Sequence, residues 1–147
     1  MKKIFIDTNV LLDLLLKREP HYACTALVFD WAVKHKNNGV ALLISSQSII
    51  NAHYILKKQI KEEILRAALN NICVTCEIID LNKDILVKSF SSPFGDFEDA
   101  TQHVCALTAD SDVILTNNER DFRNAIIPVM NADEFWAVLS TITIKDA

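Results

Sequence analysis

Lys2-Lys3-Ile4-Phe5-Ile6-Asp7-Thr8-Asn9-Val10-Leu11-Leu12-Asp13 decides how the rest of the chain is read. Lys2 to Ile6 is a short apolar, β-rich run and predicts the first strand. It stops at Asp7-Thr8-Asn9, residue types that favour caps and turns. Val10, Leu11, Leu14 and Leu15 then recur at helical spacing and predict a short amphipathic helix, ended by Glu19-Pro20.

Working outward, the same alternation repeats. His21 to Lys36 reads as a helix with Ala23, Leu27, Trp31 and Ala32 among its buried positions, closed by Asn37-Asn38-Gly39, with Gly39 free to take a left-handed cap. Val40 to Ile44 is continuous in apolar residues, as a strand buried on both faces would be. Helices follow from Ser45-Ser46 to about Lys58 and from Lys61 to Asn71, then a third strand from Val74 to Ile79 that ends in Asp80. Asn82 caps a helix to Phe90, Ser91 to Gly95 is a loop, and Asp96 caps a helix from Phe97 to Ala109. Asp112 to Leu115 and Ile126 to Met130 supply two further strands. Asn131-Ala132-Asp133-Glu134 opens a last helix through Leu139. Strands alternating with helices imply a mostly parallel sheet covered by helices on both faces, an α/β fold with its strand C-termini on one edge. The expected organisation is one domain over residues 1–140 and a fraying tail over 141–147.

Composition narrows the function classes. The 147 residues suit one domain with its own core. Fifteen Lys+Arg against nineteen Asp+Glu leave a net charge of -4, which argues against a protein that holds nucleic acid by a basic surface alone. A nuclease stays open, because bound cations can supply the missing positive charge. Two Gly and three Pro disfavour a sandwich or a disordered linker. Asp7, Asn9 and Asp13 break the apolar stretch behind Met1-Lys2-Lys3, so no secretory signal is expected, and no run is long enough to span a bilayer. The expectation is a cytoplasmic protein whose four Cys are reduced.

The chemistry concentrates in the acids. Asp7, Asp80 and the 118–121 segment follow predicted strands at their C-terminal ends, and Asp96, Glu98 and Asp99 open a helix. Carboxylates brought together repel and rise in pKa unless a cation neutralises them. Mg2+ and Mn2+ do so well, being hard ions that prefer oxygen. An Asp after a strand is also an ordinary helix cap, and Glu98 and Asp99 could simply complement a helix dipole. Those two lie about 100° apart on a helix, so both cannot face one point squarely; Asp99 shares a face with His103 and Ala106 and is the preferred ligand. Asp7 differs, because it ends a buried strand where a charge is costly unless paired.

Phe5-Ile6-Asp7-Thr8-Asn9-Val10-Leu11-Leu12-Asp13, Asp96-Phe97-Glu98-Asp99-Ala100 and Leu115-Thr116-Asn117-Asn118-Glu119-Arg120-Asp121-Phe122 together resemble a PIN domain, the fold of VapC-like toxin ribonucleases. The resemblance covers nearly the whole chain. It implies a three-layer α/β/α sandwich and Mg2+- or Mn2+-dependent endonucleolytic cleavage of RNA. A small antitoxin and a homodimer are the partners it implies. The expected site has Asp7, Asp99 and Asp121 as catalytic, metal-binding acids, Asn51 and Asn118 as further metal ligands, and Thr8, Asn9, Thr116 and, from its place beside the site, Arg120 as substrate contacts. The family usually carries a Glu on the helix after the second strand, where this chain has Asn51. An amide oxygen can ligate Mg2+ but brings no charge, so the site is expected either to bind metal more weakly or to be completed by Asp96 or Glu98. The departure leaves a second expectation open, a module that binds RNA or a protein without cutting. Asp-Thr-Asn also loosely resembles the Asp-x-Asp loop of haloacid-dehalogenase-like phosphatases, but Asn9 stands where a second acid is needed.

The remaining signals have plainer readings. Cys73-Val74-Thr75-Cys76 enters a predicted strand that would send its residues to different faces, so its expected role is structural. His21, His35, His53 and His103 lack metal-ligand spacing, and His103 is read as a satisfied surface residue. Lys57, Lys58, Lys61 and Arg66 form a small basic patch, read as a solvated face. Arg120 and Arg123 are better placed to meet a phosphate.

Overall fold

The computed structural model describes residues 1–146, with side chains to residue 142. Five parallel strands form one sheet: β1 (Lys3–Ile6), β2 (Ala41–Ser45), β3 (Glu77–Ile79), β4 (Val113–Leu115) and β5 (Val129–Met130), in the order β3-β2-β1-β4-β5. Among the described residues six helices lie between the strands, α1 (Thr8–Leu16), α2 (Tyr22–Lys34), α3 (Ser46–Leu56), α4 (Glu62–Thr75), α5 (Lys83–Phe90) and α6 (Phe97–Thr108), and a seventh, α7 (Ala132–Asp146), follows β5.

Strand periodicity sorts the core into two halves. Ile4, Ile6, Leu42, Ile44, Val113 and Leu115 face one side, with Val10, Leu11, Val28, Leu56, Leu65 and Phe135 from α1, α2, α3, α4 and α7. Phe5, Leu43 and Ile114 face the other, where Ile85 of α5 and Val104, Cys105 and Ala106 of α6 cover them. All of these strand residues are at most 2% exposed, because helices cover both faces of the central strands. The molecule is therefore a three-layer α/β/α sandwich. No helix among the described residues is long and apolar enough to cross a membrane.

Several elements depart from expectation, each for a local reason. The third strand does not begin at Val74. The stripe Leu65, Leu69, Ile72, Cys76 keeps helical spacing, so α4 runs to Thr75 and Cys76 caps it inside the core. Cys73 and Val74 are exposed on that helix, and the C-x-x-C lies at a helix end rather than in a strand. β5 keeps only two residues of its predicted run: Ile126 is 78% exposed with its N–H turned to His103, and Pro128 has no N–H to give. In α2 the buried stripe is Thr25, Val28, Phe29 and Ala32, so Ala23 and Leu27 lie outside. The last helix does not close at Leu139. Its start is a capping box, with Glu134 N–H donating to Asn131 Oδ1 (2.8 Å) and Asn131 N–H to Glu134 Oε1 (3.2 Å), and it continues to Asp146; residue 147 of the expected tail lies outside the described residues. Gly39 takes the expected left-handed conformation, φ 87°, closing a 3-10 turn at Lys36–Asn38.

Candidate active site

The site begins with strand register. Ile6 of β1 pairs with Leu115 of β4, so the next residues, Asp7 and Thr116, lie side by side at the C-terminal edge of the sheet. Thr116 donates its hydroxyl to Asp7 Oδ2 (2.8 Å), and the Thr8 N–H donates to Asp7 Oδ1 (2.9 Å) as Asp7 caps α1. Asp7 is 6% exposed. Burial pushes its carboxyl up to about 6; the Thr116 and Thr8 hydrogen bonds oppose that rise, and the charges of Glu98 and Asp121 add to it.

α6 brings the second group. Asp96 caps it by accepting from the Asp99 N–H (3.0 Å), which places Glu98 and Asp99 in its first turn. Asp99 is half-buried and pushed up to about 7, first by burial and then by the charges of Asp96, Asp121, Asp7 and Glu98. Asp121 comes from a 3-10 turn after β4 (Glu119–Phe122) and is held by the Asn118 side-chain amide. Asn51, from α3, accepts from Gln47 (2.9 Å) and donates to Glu98 Oε1 (3.4 Å).

Asp7, Thr8, Asn9, Asn51, Glu98, Asp99 and Asp121 line one open groove of about 390 Å³, with Leu12, Tyr54 and Ile55 as its apolar rim. Four carboxylates therefore face a space with no basic side chain in its lining. A cavity of about 420 Å³ at the N-terminal end of β2 is lined mainly by apolar residues such as Ala32, Val40, Leu42 and Val74, with Lys36 and Glu77 as its charges, and has no such convergence.

Some expected residues stand elsewhere. Asp96 does not line the groove, because its carboxylate is spent on the helix cap. Glu98, the other expected auxiliary acid, does line it, and its side chain reaches across to Asn51. Asn118 and Arg120 do not line it: the Asn118 amide holds Asp121, and Arg120 is exposed on the 3-10 turn. Thr116 lies fully buried behind Asp7 and also accepts from Asn9 Nδ2 (3.3 Å) and the Asn118 N–H (3.1 Å). The Thr8 hydroxyl turns inward to Ser48 (2.7 Å). His103 is buried rather than on the surface, stacked on Phe94 at 4.7 Å and accepting from the Ile126 N–H (3.2 Å).

Sequence reasoning missed Ser48, Gln102 and Asp13. Asp13 is buried and takes hydrogen bonds from Arg18 (2.8 Å) and from the Asn117 amide, pinning α1 to the end of β4. Gln102 is three residues after Asp99 and Ser48 three before Asn51, so helical spacing alone sets each on the face of its site residue.

The sequence pattern of the PIN domain family matches residues 3–120. The chain belongs to the PIN domain family. Solved structures of like fold include a toxin–antitoxin complex from Klebsiella pneumoniae, 22% identical, with TM-score 0.66 over 88% of this chain and 97% of that one. VapBC2 from Rickettsia felis, bound to a DNA fragment from its promoter, is 17% identical, with TM-score 0.64 over 88% of this chain and 98% of the other. VapC20 from Mycobacterium tuberculosis, described as a sarcin–ricin loop cleaving toxin, is 12% identical, with TM-score 0.56 over 76% and 86%. No curated protein matches by sequence.

The donors in this PIN domain's groove are all oxygen, the chemistry that suits Mg2+ or Mn2+. Among the described residues no three His, Cys, Asp or Glu side chains form a ready-made metal cage. The fit is to a cation that keeps part of its water shell and is held through one or two carboxylates, as Mg2+ commonly is.

Proposed function

We propose that this PIN domain is a metal-dependent endoribonuclease that hydrolyses RNA phosphodiester bonds, and the toxin of a toxin–antitoxin pair. The observation that carries the reading is the groove in which Asp7, Glu98, Asp99 and Asp121 converge with no cation of the chain's own to neutralise them. The raised carboxyls of Asp7 and Asp99 mark a site whose charge is unbalanced until a positive ion enters. The like fold of a toxin–antitoxin complex and of a toxin that cleaves the sarcin–ricin loop supports the same reading.

Asp7 and Asp99 would hold Mg2+ or Mn2+, and Asp121 and Glu98 line the same groove. When bound, such an ion would supply positive charge against the scissile phosphate and would lower the pKa of a water. Thr116 and the Thr8 N–H fix the Asp7 carboxylate so that it need not reorganise when substrate arrives. Asn118 does the same for Asp121. Asn9 and Asn51 offer amides to the phosphate or sugar, and Arg120 on the neighbouring turn meets the RNA backbone outside the groove.

The same reading gives the domain a small antitoxin, a second copy of itself and a cytoplasmic setting. Exposed Ile50, Tyr54 and Ile64 on α3 and α4, and the stacked Phe90–Phe97 pair of α5 and α6, are apolar surface available to such partners. The neutral Asn51 favours one alternative, a domain that binds RNA or a protein without cutting it. Incubating a mixed RNA pool with Mn2+ and either the wild type or Asp7→Asn separates the two. Cleavage lost in the variant supports the nuclease; equal background in both supports the binding module.

A further inference from the structure

We infer that Gln102 is a positioning residue for the acid groove, the centre of a buried polar knot that sets where three elements present their groove side chains. Gln102 is 1% exposed. Its amide donates to Ser48 Oγ (2.8 Å) and to Thr8 Oγ1 (3.3 Å). Those hydroxyls are themselves 2.7 Å apart, and Ser45 closes the knot on Ser48 (3.1 Å). The three side chains come from α6, α3 and α1, 54 and 94 residues apart along the chain.

Each member stands next to a groove residue. Thr8 follows Asp7 and gives it its N–H. Ser48 is one helical turn before Asn51, and Gln102 one turn after Asp99. Turning or sliding any of the three helices would break the knot, so the knot sets the separation of Asp7, Asn51 and Asp99. Gln102 touches none of them and acts through Thr8 and through its own helix.

The knot is not built for stability. Gln102 Oε1 is buried and finds no donor among the described residues, and an orphaned buried acceptor costs free energy. Thr8 and Ser48 would still satisfy each other without the amide. A leucine or methionine of similar volume would remove that cost, yet the chain carries an amide here. Precise placement of the groove accounts for it.

This inference rests on the nuclease reading, and the test separates the two. Mn2+ affinity is measured by electron paramagnetic resonance on the full chain as wild type, Gln102→Leu and Gln102→Met. Urea unfolding in EDTA and RNA cleavage run in parallel. Residues that orient metal ligands cost about 10–100-fold in affinity when lost, and that is the expected drop in both variants. kcat falls with it, KM for RNA holds, and the unfolding midpoint in EDTA stays at or above that of wild type. Wild-type Mn2+ affinity in both variants overturns the inference while leaving the nuclease reading intact. A lowered affinity matched by lost stability in EDTA, or failure of both variants to fold, makes Gln102 a packing residue and overturns it too. A wild type that neither binds Mn2+ nor cuts RNA overturns both.

Discussion

Asp99→Asn should make this protein more stable without metal and less able to use it. The Asp99 carboxyl rises from its ordinary 3.8 to about 7, because burial and four neighbouring acids disfavour its charge. A folded-state pKa above the unfolded one means that the native state keeps its proton where the unfolded chain has lost it. The stability this group contributes is therefore fully present below about pH 3.8 and is lost as pH rises through about 7. A rise of that size at a fully buried group would correspond to roughly 4 kcal/mol. Asp99 is only half-buried, and solvent screening reduces the expected gain of the neutral variant to about 1–2 kcal/mol. Urea unfolding in EDTA, followed by Trp31 and Trp136 fluorescence, measures it by linear extrapolation. The variant should unfold at higher urea than wild type at about pH 8, and with little difference at about pH 4. On the proposed metal-holding role of Asp99, saturating Mn2+ should reverse the order. A gain of equal size at both pH values, or a loss at the higher one, would refute the electrostatic account of the groove.

Asn51→Glu sets a fifth carboxylate against Glu98, 3.4 Å from the present amide. It should lower stability in EDTA at neutral pH and raise both Mn2+ affinity and RNA cleavage, read by unfolding, metal titration and a cleavage assay. Phe135→Ala opens the centre of the larger core half, where Phe135 is fully buried and meets Trp31 edge-on at 6.0 Å. It should cost about 3–5 kcal/mol in urea unfolding and leave the Mn2+ affinity of the remaining folded protein unchanged.

The layered architecture was legible because the chain states it twice. Ile4-Phe5-Ile6 and Leu42-Leu43-Ile44 are unbroken apolar triplets, which only a sheet covered on both faces requires, and each ends in cap residues that start a helix. The groove acids were legible as candidates because parallel strands must end on one edge. What stayed hidden depended on side-chain length and direction. The Asp96 cap is readable locally, but nothing local says that Glu98 bends across to Asn51 or that His103 turns inward onto Phe94. Val74 and Thr75 read as strand because they are β-branched. The deciding signal was the more distant Leu65–Leu69–Ile72–Cys76 stripe, which tertiary burial favours over local propensity. Gln102 and Ser48 carry no motif, since their partners lie tens of residues away.

The pairing of β1 with β4 has a consequence for synthesis. Asp7 and Thr116 are 109 residues apart, so the first strand leaves the ribosome long before the neighbour that completes it. Domains fold as units during translation, and non-local contacts form late. Until residue 121 has emerged, Asp121 is missing, and until Thr116 joins the sheet Asp7 lacks the hydroxyl that orients it. A nascent chain thus carries no complete acid groove until residue 121 has left the ribosome and β4 has paired with β1.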